Sequence, residues 1–337
     1  MKAWTLIAHG VPRKAFELRE HPVPVPRSNE VRIRCEASGL NFADVMAVKG
    51  LYREAPPLPS VLGYEVVGRI EAVGDGVPRE LIGKRVVAMT RFGGYAEYAV
   101  TDHRALAEIA DDVPAGEAAA MATQGCTAWY AARILCPLRA RQRVLVHSAA
   151  GGVGHLLVQL ALRSGCEVYT IASGKKKAEY LRALGAQHVI DRNGDVEVQL
   201  RTALQGALLD VTFNAVGGSS FHMDMRLLGS GGRIVLFGGA ERGTIGFLGT
   251  LRFVWRMGLV IPIFLMMKSR SILGVNMLRI SEHHPDIIAE CLQNMVRSQA
   301  CGELKANVHA AFPVAELPAA LEALGSGVTI GKVVTLW

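Results

Sequence analysis

Short apolar runs rich in β-branched residues, each bounded by glycine, proline or polar residues, dominate the first 110 positions of the chain. Four of these runs predict β-strands, at 3–7, 30–35, 66–73 and 85–88. Prolines at 22, 24 and 26 indicate an extended connector, because each proline fixes its own φ and lacks a backbone donor. The pattern predicts a small, mostly β domain.

From about residue 115, strands and helices alternate. The predicted strands are short and apolar, at 143–147, 167–172, 188–190, 209–213 and 233–237, with 271–277 as a candidate sixth. Helical patterns run between them and end at Gly165 and Gly185. Nearly continuous apolar strands that alternate with helices are typical of a parallel sheet covered on both faces.

The last 60 residues predict two amphipathic helices and one strand. The helices have their apolar positions spaced by three and four residues, within 287–296 and 317–324. The strand at 332–336 is expected to rejoin the sheet of the first domain.

Composition and charge limit the class of protein. The chain has 337 residues, of which 50% are hydrophobic and 20% charged, so it is long enough for about two globular domains. The net charge of +7 is spread along the chain, and the longest basic run is 175–177. Because a nucleic-acid binder concentrates its charge on one stripe, we expect an anionic small ligand and no nucleic acid.

The cysteines and the apolar runs indicate a soluble protein of a reducing compartment. Six cysteines form no CxxC pair, and no signal peptide is recognisable at the start, so we expect a cytoplasmic chain with free thiols. The most apolar run, at 257–267, contains Pro262 and is shorter than the roughly 20 residues that a spanning helix needs.

The most specific chemical motif is the glycine-rich turn His147–Gly154, between a predicted strand and a predicted helix. Ala149, Gly151 and Gly154 occupy the three glycine positions of G-x-G-x-x-G. The second glycine lets a pyrophosphate approach the backbone, the third lets the helix pack on the strand, and the helix N-terminus attracts phosphate. The motif predicts dinucleotide binding, with an ordinary glycine-rich turn as the alternative. The predicted contacts are Ala150, Gly151, Gly152, Val153 and Gly154.

The end of the second strand of this domain distinguishes NADP from NAD. NAD sites place an acid there, about 20 residues after the glycines. This chain instead has Ser173, followed by lysines at 175–177, and Arg192 follows the third strand. A hydroxyl and cations suit a 2′-phosphate, so we predict NADPH, bound by Ser173, Lys177 and Arg192. The alternative is a solvated lysine run at the start of a helix.

These motifs give the chain a clear resemblance to a known family. It resembles the medium-chain dehydrogenase/reductase superfamily, in its zinc-free quinone oxidoreductase branch, and within that branch the vesicle amine transport protein-like group. The resemblance rests on the motifs at 37–44, 62–68, 124–129, 149–154 and 331–334, and for the group on the long segment 240–277.

The resemblance implies an α/β fold in which a GroES-like β-rich catalytic domain accompanies a Rossmann domain with a doubly wound parallel sheet. The implied boundaries are 1–120 for the catalytic domain, 121–277 for the Rossmann domain, and 278–337 for a segment that completes the catalytic domain. It further implies an active site in a cleft between the domains and a homodimer.

The residues that replace zinc ligands predict that no metal is bound. Zinc-dependent relatives have a cysteine where this chain has Asn41, and a histidine where it has Tyr64. The four closely spaced cysteines of a structural zinc lobe are also absent from the sequence. Amide and phenol groups are poor substitutes for thiolate and imidazole.

The remaining chemistry is reduction without a Lewis acid: transfer of a hydride from NADPH to a quinone, or to the β-carbon of an α,β-unsaturated carbonyl. Tyr52 is the candidate proton donor, and Asn41 the candidate for orienting substrate or cofactor. Their alternatives are a surface-loop cap and a turn residue, and Asp44 is read as a helix-start residue. At the strand ends we expect further cofactor contacts from Asn214, Val216, Phe237 and Gly238. By the resemblance, Thr127 is expected to lie near the nicotinamide. Thr127 has the alternative of a helix residue without a ligand.

The apolar segment 248–271 has two interpretations. One is a helix that covers the substrate cleft or packs at a dimer contact, and the other is an interfacial membrane helix with basic flanks. The second leads to an alternative function, a weakly catalytic NADP(H)-binding protein that is membrane-associated or regulatory.

Overall fold

Three sheets form in the part of the chain that the computed structural model describes, residues 1–242 and 246–337, without the side chains of 246–248. The strands are β1 Lys2–Leu6, β2 Phe16–Glu20, β3 Glu30–Leu40, β4 Ser60–Val61, β5 Glu65–Val73, β6 Arg85–Met89, β7 Tyr98–Asp102, β8 Leu106–Glu108, β9 Arg143–Val146, β10 Glu167–Ala172, β11 His188–Asp191, β12 Leu209–Asn214, β13 Leu228–Leu236, β14 Ser271–Gly274, β15 Val308–Pro313 and β16 Lys332–Leu336. The α-helices are α1 Pro12–Ala15, α2 Phe42–Val48, α3 Ala115–Ala120, α4 Cys126–Trp129, α5 Gly154–Arg163, α6 Lys175–Ala183, α7 Val196–Leu204, α8 Ser219–Leu227, α9 Gly246–Met257, α10 Pro262–Lys268, α11 Met277–His283, α12 Pro285–Ala300 and α13 Leu317–Gly325.

The first compact unit combines both ends of the chain, Met1–Cys126 and Met277–Trp337. Its larger sheet has the order β15-β16-β3-β5-β6-β8, with β7 also paired to β3, and its smaller sheet has the order β2-β1-β4. The final strand β16 lies antiparallel to β3, which confirms that the tail rejoins the N-terminal sheet. Apolar side chains of β3, β5 and β6 pack into one core because alternate residues of each strand point to the same face.

The second compact unit, Thr127–Asn276, is built on a parallel sheet with the order β11-β10-β9-β12-β13-β14. This order confirms the predicted doubly wound α/β class. The candidate sixth strand is present as β14 and ends at Gly274. From β9 the chain first continues to one side of the sheet, through β10 and β11, and then to the other side, through β12, β13 and β14. The carboxyl end of β9 is therefore the switch point where such sheets bind ligands.

Two short π-helical segments, Met121–Gly125 and Tyr130–Leu135, flank α4, and the sequence pattern does not predict them. Ala122 departs from helical geometry with ψ −109°, so the chain turns there. The break between the two units follows at Cys126 and Thr127, and the second break lies at Asn276 and Met277.

The apolar segment expected as one helix consists of two helices, α9 and α10. Gly258, with φ +69°, and Pro262 interrupt the hydrogen-bonding pattern between them. Residues 243–245, in the same long connection, lie outside the described residues. No single helix among the described residues has the length and apolarity needed to cross a bilayer, although Gly249–Met257 and Pro262–Lys268, bent by 41°, meet that criterion as a pair.

Candidate functional site

The glycine-rich turn joins β9 to α5 by a close contact of backbone with backbone. A Cβ atom on Gly154 would overlap the Ser148 carbonyl oxygen and lie 2.8 Å from Ala149 Cα. Only glycine therefore fits at the start of α5, which is the role expected for the third glycine of the motif. Ser148 adopts φ +49° to make the turn.

Gly151 lies in the same turn with more open space. A Cβ there would meet only the Ser148 carbonyl oxygen, at 3.2 Å, so its open side leaves the backbone accessible to a ligand. The His155 ring donates from Nδ1 to the Gly151 carbonyl oxygen at 2.9 Å. Burial lowers the pKa of His155 to about 4, so the ring is neutral at neutral pH and holds the turn by a hydrogen bond, not by charge.

Two of the predicted cationic contacts lie close together at the end of β10. Burial and then the nearby charge of Arg192 lower the pKa of Lys177. Ser173 and the open Gly174, with φ +82°, lead into α6 beside them. Two neighbouring cations at the end of the second strand are the arrangement that suits a 2′-phosphate.

Asn214 organises the end of β12 with both ends of its amide. Its Oδ1 accepts hydrogen bonds from the Val216 and Gly217 N–H groups, both at 2.8 Å. Its Nδ2 donates to Asp224 Oδ2 at 2.7 Å, and His147 Nε2 lies 2.9 Å from Asp224 Oδ1. Asn214 thus shapes the turn that carries Val216, so its side chain is occupied by the protein.

Phe237 and Gly238 lie against this turn. The Phe237 N–H donates to the Asn214 carbonyl oxygen at 3.1 Å, and a Cβ on Gly238 would lie 2.5 Å from the Ala215 carbonyl oxygen. The carboxyl ends of β9, β10, β12 and β13 therefore bring together most of the predicted cofactor contacts at one edge of the sheet: Ala150, Gly151, Gly152, Val153, Gly154, Ser173, Asn214, Val216, Phe237 and Gly238. Thr127 is buried in α4, a helix that precedes β9 in the sequence, so it does not belong to these strand ends.

In the first unit, Asn41 belongs to a buried polar network. Its Nδ2 donates to Glu65 Oε1 at 2.8 Å, and its Oδ1 accepts from Gln124 Nε2 at 3.1 Å and from Lys332 Nζ at 3.0 Å. Lys332 is paired directly with Glu65, whose other oxygen accepts from the Thr123 N–H at 2.7 Å. The amide of Asn41 is fixed by these bonds.

Sequence reasoning did not assign Glu65 and Lys332 to the candidate site. Both side chains are fully buried, and burial lowers the pKa of Lys332. Gly39 makes room for the pair, because a Cβ there would overlap the Glu65 carboxylate and lie 2.7 Å from Lys332 Cε. The available signal was a charged residue at the first position of β5 and of β16, followed in each strand by two valines.

Tyr52 lies in the loop after α2, half-buried, with its ring edge-on to Tyr64 at a centroid distance of 6.1 Å. Burial and then the charge of Glu54 raise the pKa of Tyr52. Asp44 begins α2 as expected, since its Oδ2 accepts from the Asn41 N–H at 2.8 Å.

Within the described residues, no group of three His, Cys, Asp or Glu side chains is placed to hold a metal ion. The absence of a metal stays a prediction from the residues at 41 and 64. Cys126 is fully buried, and burial raises the pKa of its thiol.

Two family models match the chain. Residues 27–111 match the alcohol dehydrogenase GroES-like domain, and residues 152–295 match the family described as zinc-binding dehydrogenase. A mycocerosic acid synthase-like polyketide synthase of Mycobacterium tuberculosis is 29% identical over 310 residues. That alignment covers 92% of this chain and 14% of the synthase, so the chain spans about one seventh of the curated relatives it matches.

Three solved structures are similar over the whole chain. A mycobacterial protein in complex with NADPH has a TM-score of 0.87 at 28% identity and covers 100% of both chains. A quinone oxidoreductase of Pseudomonas syringae has a TM-score of 0.87 at 28% identity, covering 100% of this chain and 99% of that one. The human synaptic vesicle membrane protein VAT-1 homolog-like protein has a TM-score of 0.86 at 26% identity, covering 100% and 98%. On its GroES-like unit, its glycine-turn parallel sheet and these matches, the chain belongs to the medium-chain dehydrogenase/reductase superfamily of oxidoreductases.

Proposed function

We propose that the protein is an NADPH-dependent, zinc-independent reductase that delivers hydride to a quinone or to an α,β-unsaturated carbonyl. The observation that carries the proposal is the edge of the parallel sheet, where the glycine-rich turn lies at the switch point and the Arg192 N–H donates to the carbonyl oxygen of Ala172, the last residue of β10, at 2.9 Å. Lys177, in the first turn of α6, is near enough to Arg192 for its charge to lower the pKa of the lysine. Similarity to a protein bound to NADPH and to a quinone oxidoreductase supports it.

The residues of the second unit fit a dinucleotide phosphate. Gly151 leaves open space on the backbone where the pyrophosphate approaches, and the N-terminus of α5 provides N–H groups and a positive dipole end. Ser173, Lys177 and Arg192 would hold the 2′-phosphate. When bound, the reduced nicotinamide supplies the hydride, and the protein supplies orientation and the proton.

The residues of the first unit would handle the proton. Tyr52 carries a phenol whose pKa is raised, so it stays protonated at neutral pH and is able to donate to the oxyanion or enolate. Asn41 is held by Glu65, Gln124 and Lys332, which gives its amide one fixed orientation. Without a metal, this chemistry depends on hydrogen-bond donors that are already in place.

The test is the consumption of NADPH by the purified protein with ortho-quinones, para-quinones, enones and an enoyl thioester. We expect turnover with at least one of these classes. Binding of NADPH with no turnover across the panel would contradict the reductase.

A second candidate function is that of a weakly catalytic, membrane-associated NADP(H)-binding protein. It has one observation in its favour, the exposed apolar surface of α9, α10 and the residues between them. Trp255 is 82% exposed and Leu259 87% exposed, and the sequence has no acidic residue between Glu241 and Glu282. An apolar surface with basic neighbours is typical of attachment to anionic membranes, and it is equally suited to contact in the homodimer that the family resemblance implies.

Sedimentation separates these two explanations of the surface. If the surface binds membranes, the protein co-sediments with anionic vesicles and the double variant Trp255→Ser/Leu259→Ser does not. If it lies in a homodimer, the wild type sediments as a dimer in solution, the double variant shifts towards monomer, and neither binds vesicles. The change Val198→Ser on the exposed face of α7 is the matched control.

A further inference from the structure

Four consecutive backbone N–H groups follow β12, at 216–219, and all four donate to side chains of the protein. The first two donate to Asn214 Oδ1 at 2.8 Å. The third donates to Met257 Sδ at 3.0 Å, and the fourth donates to Glu241 Oε2 at 2.7 Å. Because these N–H groups are occupied, the turn offers a cofactor the partly exposed apolar side chain of Val216 and not a second anion site.

One face of α9 is built against this turn. Met257 is the last residue of α9, and Arg256 Nη1 donates to the other oxygen of the capping carboxylate, Glu241 Oε1, at 2.7 Å. Phe253 packs on the turn itself, since a Cβ on Gly217 would lie 2.7 Å from Phe253 Cζ. Positions 253, 256 and 257 are spaced by three and four residues, so they lie on the same face of the helix.

The turn depends on such contacts for its conformation. Gly217 and Gly218 adopt φ of +65° and +58°, and glycine has no intrinsic preference for this region over many others. Gly218 also has no side chain with which to cap α8, and the Glu241 carboxylate takes that place at the helix N-terminus, where a negative charge is stabilising. The Glu241 N–H in addition donates to the Val216 carbonyl oxygen at 3.0 Å.

Glu241 is charged when it makes these contacts. Its burial opposes ionisation, but the hydrogen bonds from Ser219 and Arg256 outweigh that effect and lower the pKa of Glu241. The Ser219 hydroxyl donates to the same oxygen as the Ser219 N–H, at 2.7 Å. The carboxylate therefore links the start of α8 to α9 by charge-assisted hydrogen bonds.

We propose that α9 is part of the cofactor site: Phe253, Arg256 and Met257 are positioning residues that hold the turn 214–219 so that Val216 faces NADPH. The proposal rests on the NADPH dependence of the proposed function and adds to it a surface helix that acts through the turn. Binding and order are then linked, so NADPH orders α9 to the same extent that α9 favours binding of NADPH.

A fluorescence titration with NADPH tests the apolar contact. We expect Phe253→Ala to raise the Kd for NADPH about tenfold, because the ligand must then order a turn that the helix no longer holds. Val254→Ala, at the next position and on the exposed side of α9, is the matched control and should keep the wild-type Kd. The same Kd in Phe253→Ala and Val254→Ala would overturn the proposal.

The same titration tests the charged contact with substitutions at a partly exposed position, where folding is not at risk. Arg256→Met should raise the Kd for NADPH, and Arg256→Lys, which is still able to pair with Glu241, should restore most of the affinity. With saturating NADPH, kcat should be unchanged in both, since the effect is on binding. Equal Kd values for Arg256→Met and Arg256→Lys would contradict a positioning role.

Hydrogen exchange tests the linkage without any measurement of activity. Addition of NADPH to the wild type should slow exchange of the backbone amides at 250–257 several-fold and leave those of α13, in the first unit, unchanged. In Phe253→Ala at saturating NADPH the protection of α9 should be lost. Exchange in α9 that does not respond to NADPH would overturn the proposal. Absence of NADPH binding in the wild type would overturn it together with the cofactor site, whereas binding without turnover would contradict the reductase function alone.

Discussion

Lys332 shows how one residue limits what a sequence can predict. The pattern at 332–336 predicts a strand correctly, and its first residue is a lysine, a residue type that is rarely buried in proteins. The side chain is instead fully buried against Glu65, because β16 lies next to β3 and β5 lies on the other side of β3. Only tertiary pairing, between residues 267 positions apart, decides this contact. Asn41, which the sequence motif singles out, is held by hydrogen bonds to the same two residues, Glu65 and Lys332.

Removing one partner of this pair should be costly. We expect Lys332→Met to lower the free energy of unfolding by about 3–5 kcal/mol, because Glu65 is left as an uncompensated buried charge. The double variant Lys332→Met/Glu65→Gln should recover part of the loss. Urea denaturation measures both. Lys84→Met, which breaks an exposed pair with Glu108, should cost no more than about 1 kcal/mol. Equal losses of stability in Lys332→Met and Lys84→Met would contradict the role assigned to the buried pair.

Asp44 should make stability depend on pH. Its pKa is raised on folding, so between about pH 4 and pH 7 the folded chain binds more protons than the unfolded chain, and stability falls as pH rises. Between pH 5 and 8 this group should lower the free energy of unfolding by about 2–3 kcal/mol. Denaturation of wild type and Asp44→Asn at both pH values measures the difference. If the two proteins show the same pH dependence, Asp44 does not hold its proton.

At the scale of elements, the glycine-rich turn was the most predictable feature. Its third glycine predicts close packing of the helix on the strand, and in the structure Gly154 does lie against the backbone of Ser148 and Ala149. The π-helical segments around α4 were not predictable, since they depend on how the chain enters the second unit and on no local residue preference. The division of 248–271 into α9 and α10 follows from Gly258 and Pro262, both of which were visible in the sequence.

Two glycines of the turn should behave differently when a methyl group is added. Gly154→Ala should destabilise the protein by about 1–3 kcal/mol, because the methyl group meets backbone atoms that have no freedom to move. Gly151→Ala should change stability by less than about 1 kcal/mol and weaken NADPH binding, because its methyl group occupies the approach of the pyrophosphate. Thermal denaturation and a fluorescence titration with NADPH separate the two effects. The reverse order of stabilities would contradict the role assigned to Gly154.

At the scale of the whole molecule, the fold class followed from the change of pattern near residue 115, from short bounded strands to alternating strands and helices. The return of β16 to the first sheet was also predictable, because a terminal apolar strand needs a partner. The exposure of α9 and α10 was not predictable, because an apolar helix pattern indicates burial but does not identify the surface that covers the helix. Substrate choice has no signal in the residue pattern at all, since it depends on the shape of a pocket.

The central claim is that the protein is a reductase and that Lys177 and Arg192 make it specific for NADPH. The most direct test is kcat/KM for NADPH and for NADH with the best acceptor, in wild type, Lys177→Ala and the exposed control Lys175→Ala. We predict a strong preference for NADPH in wild type and in Lys175→Ala, and about a tenfold loss of that preference in Lys177→Ala, the effect of one charge-assisted hydrogen bond. Equal use of the two cofactors by the wild type, or an unchanged preference in Lys177→Ala, would contradict the account.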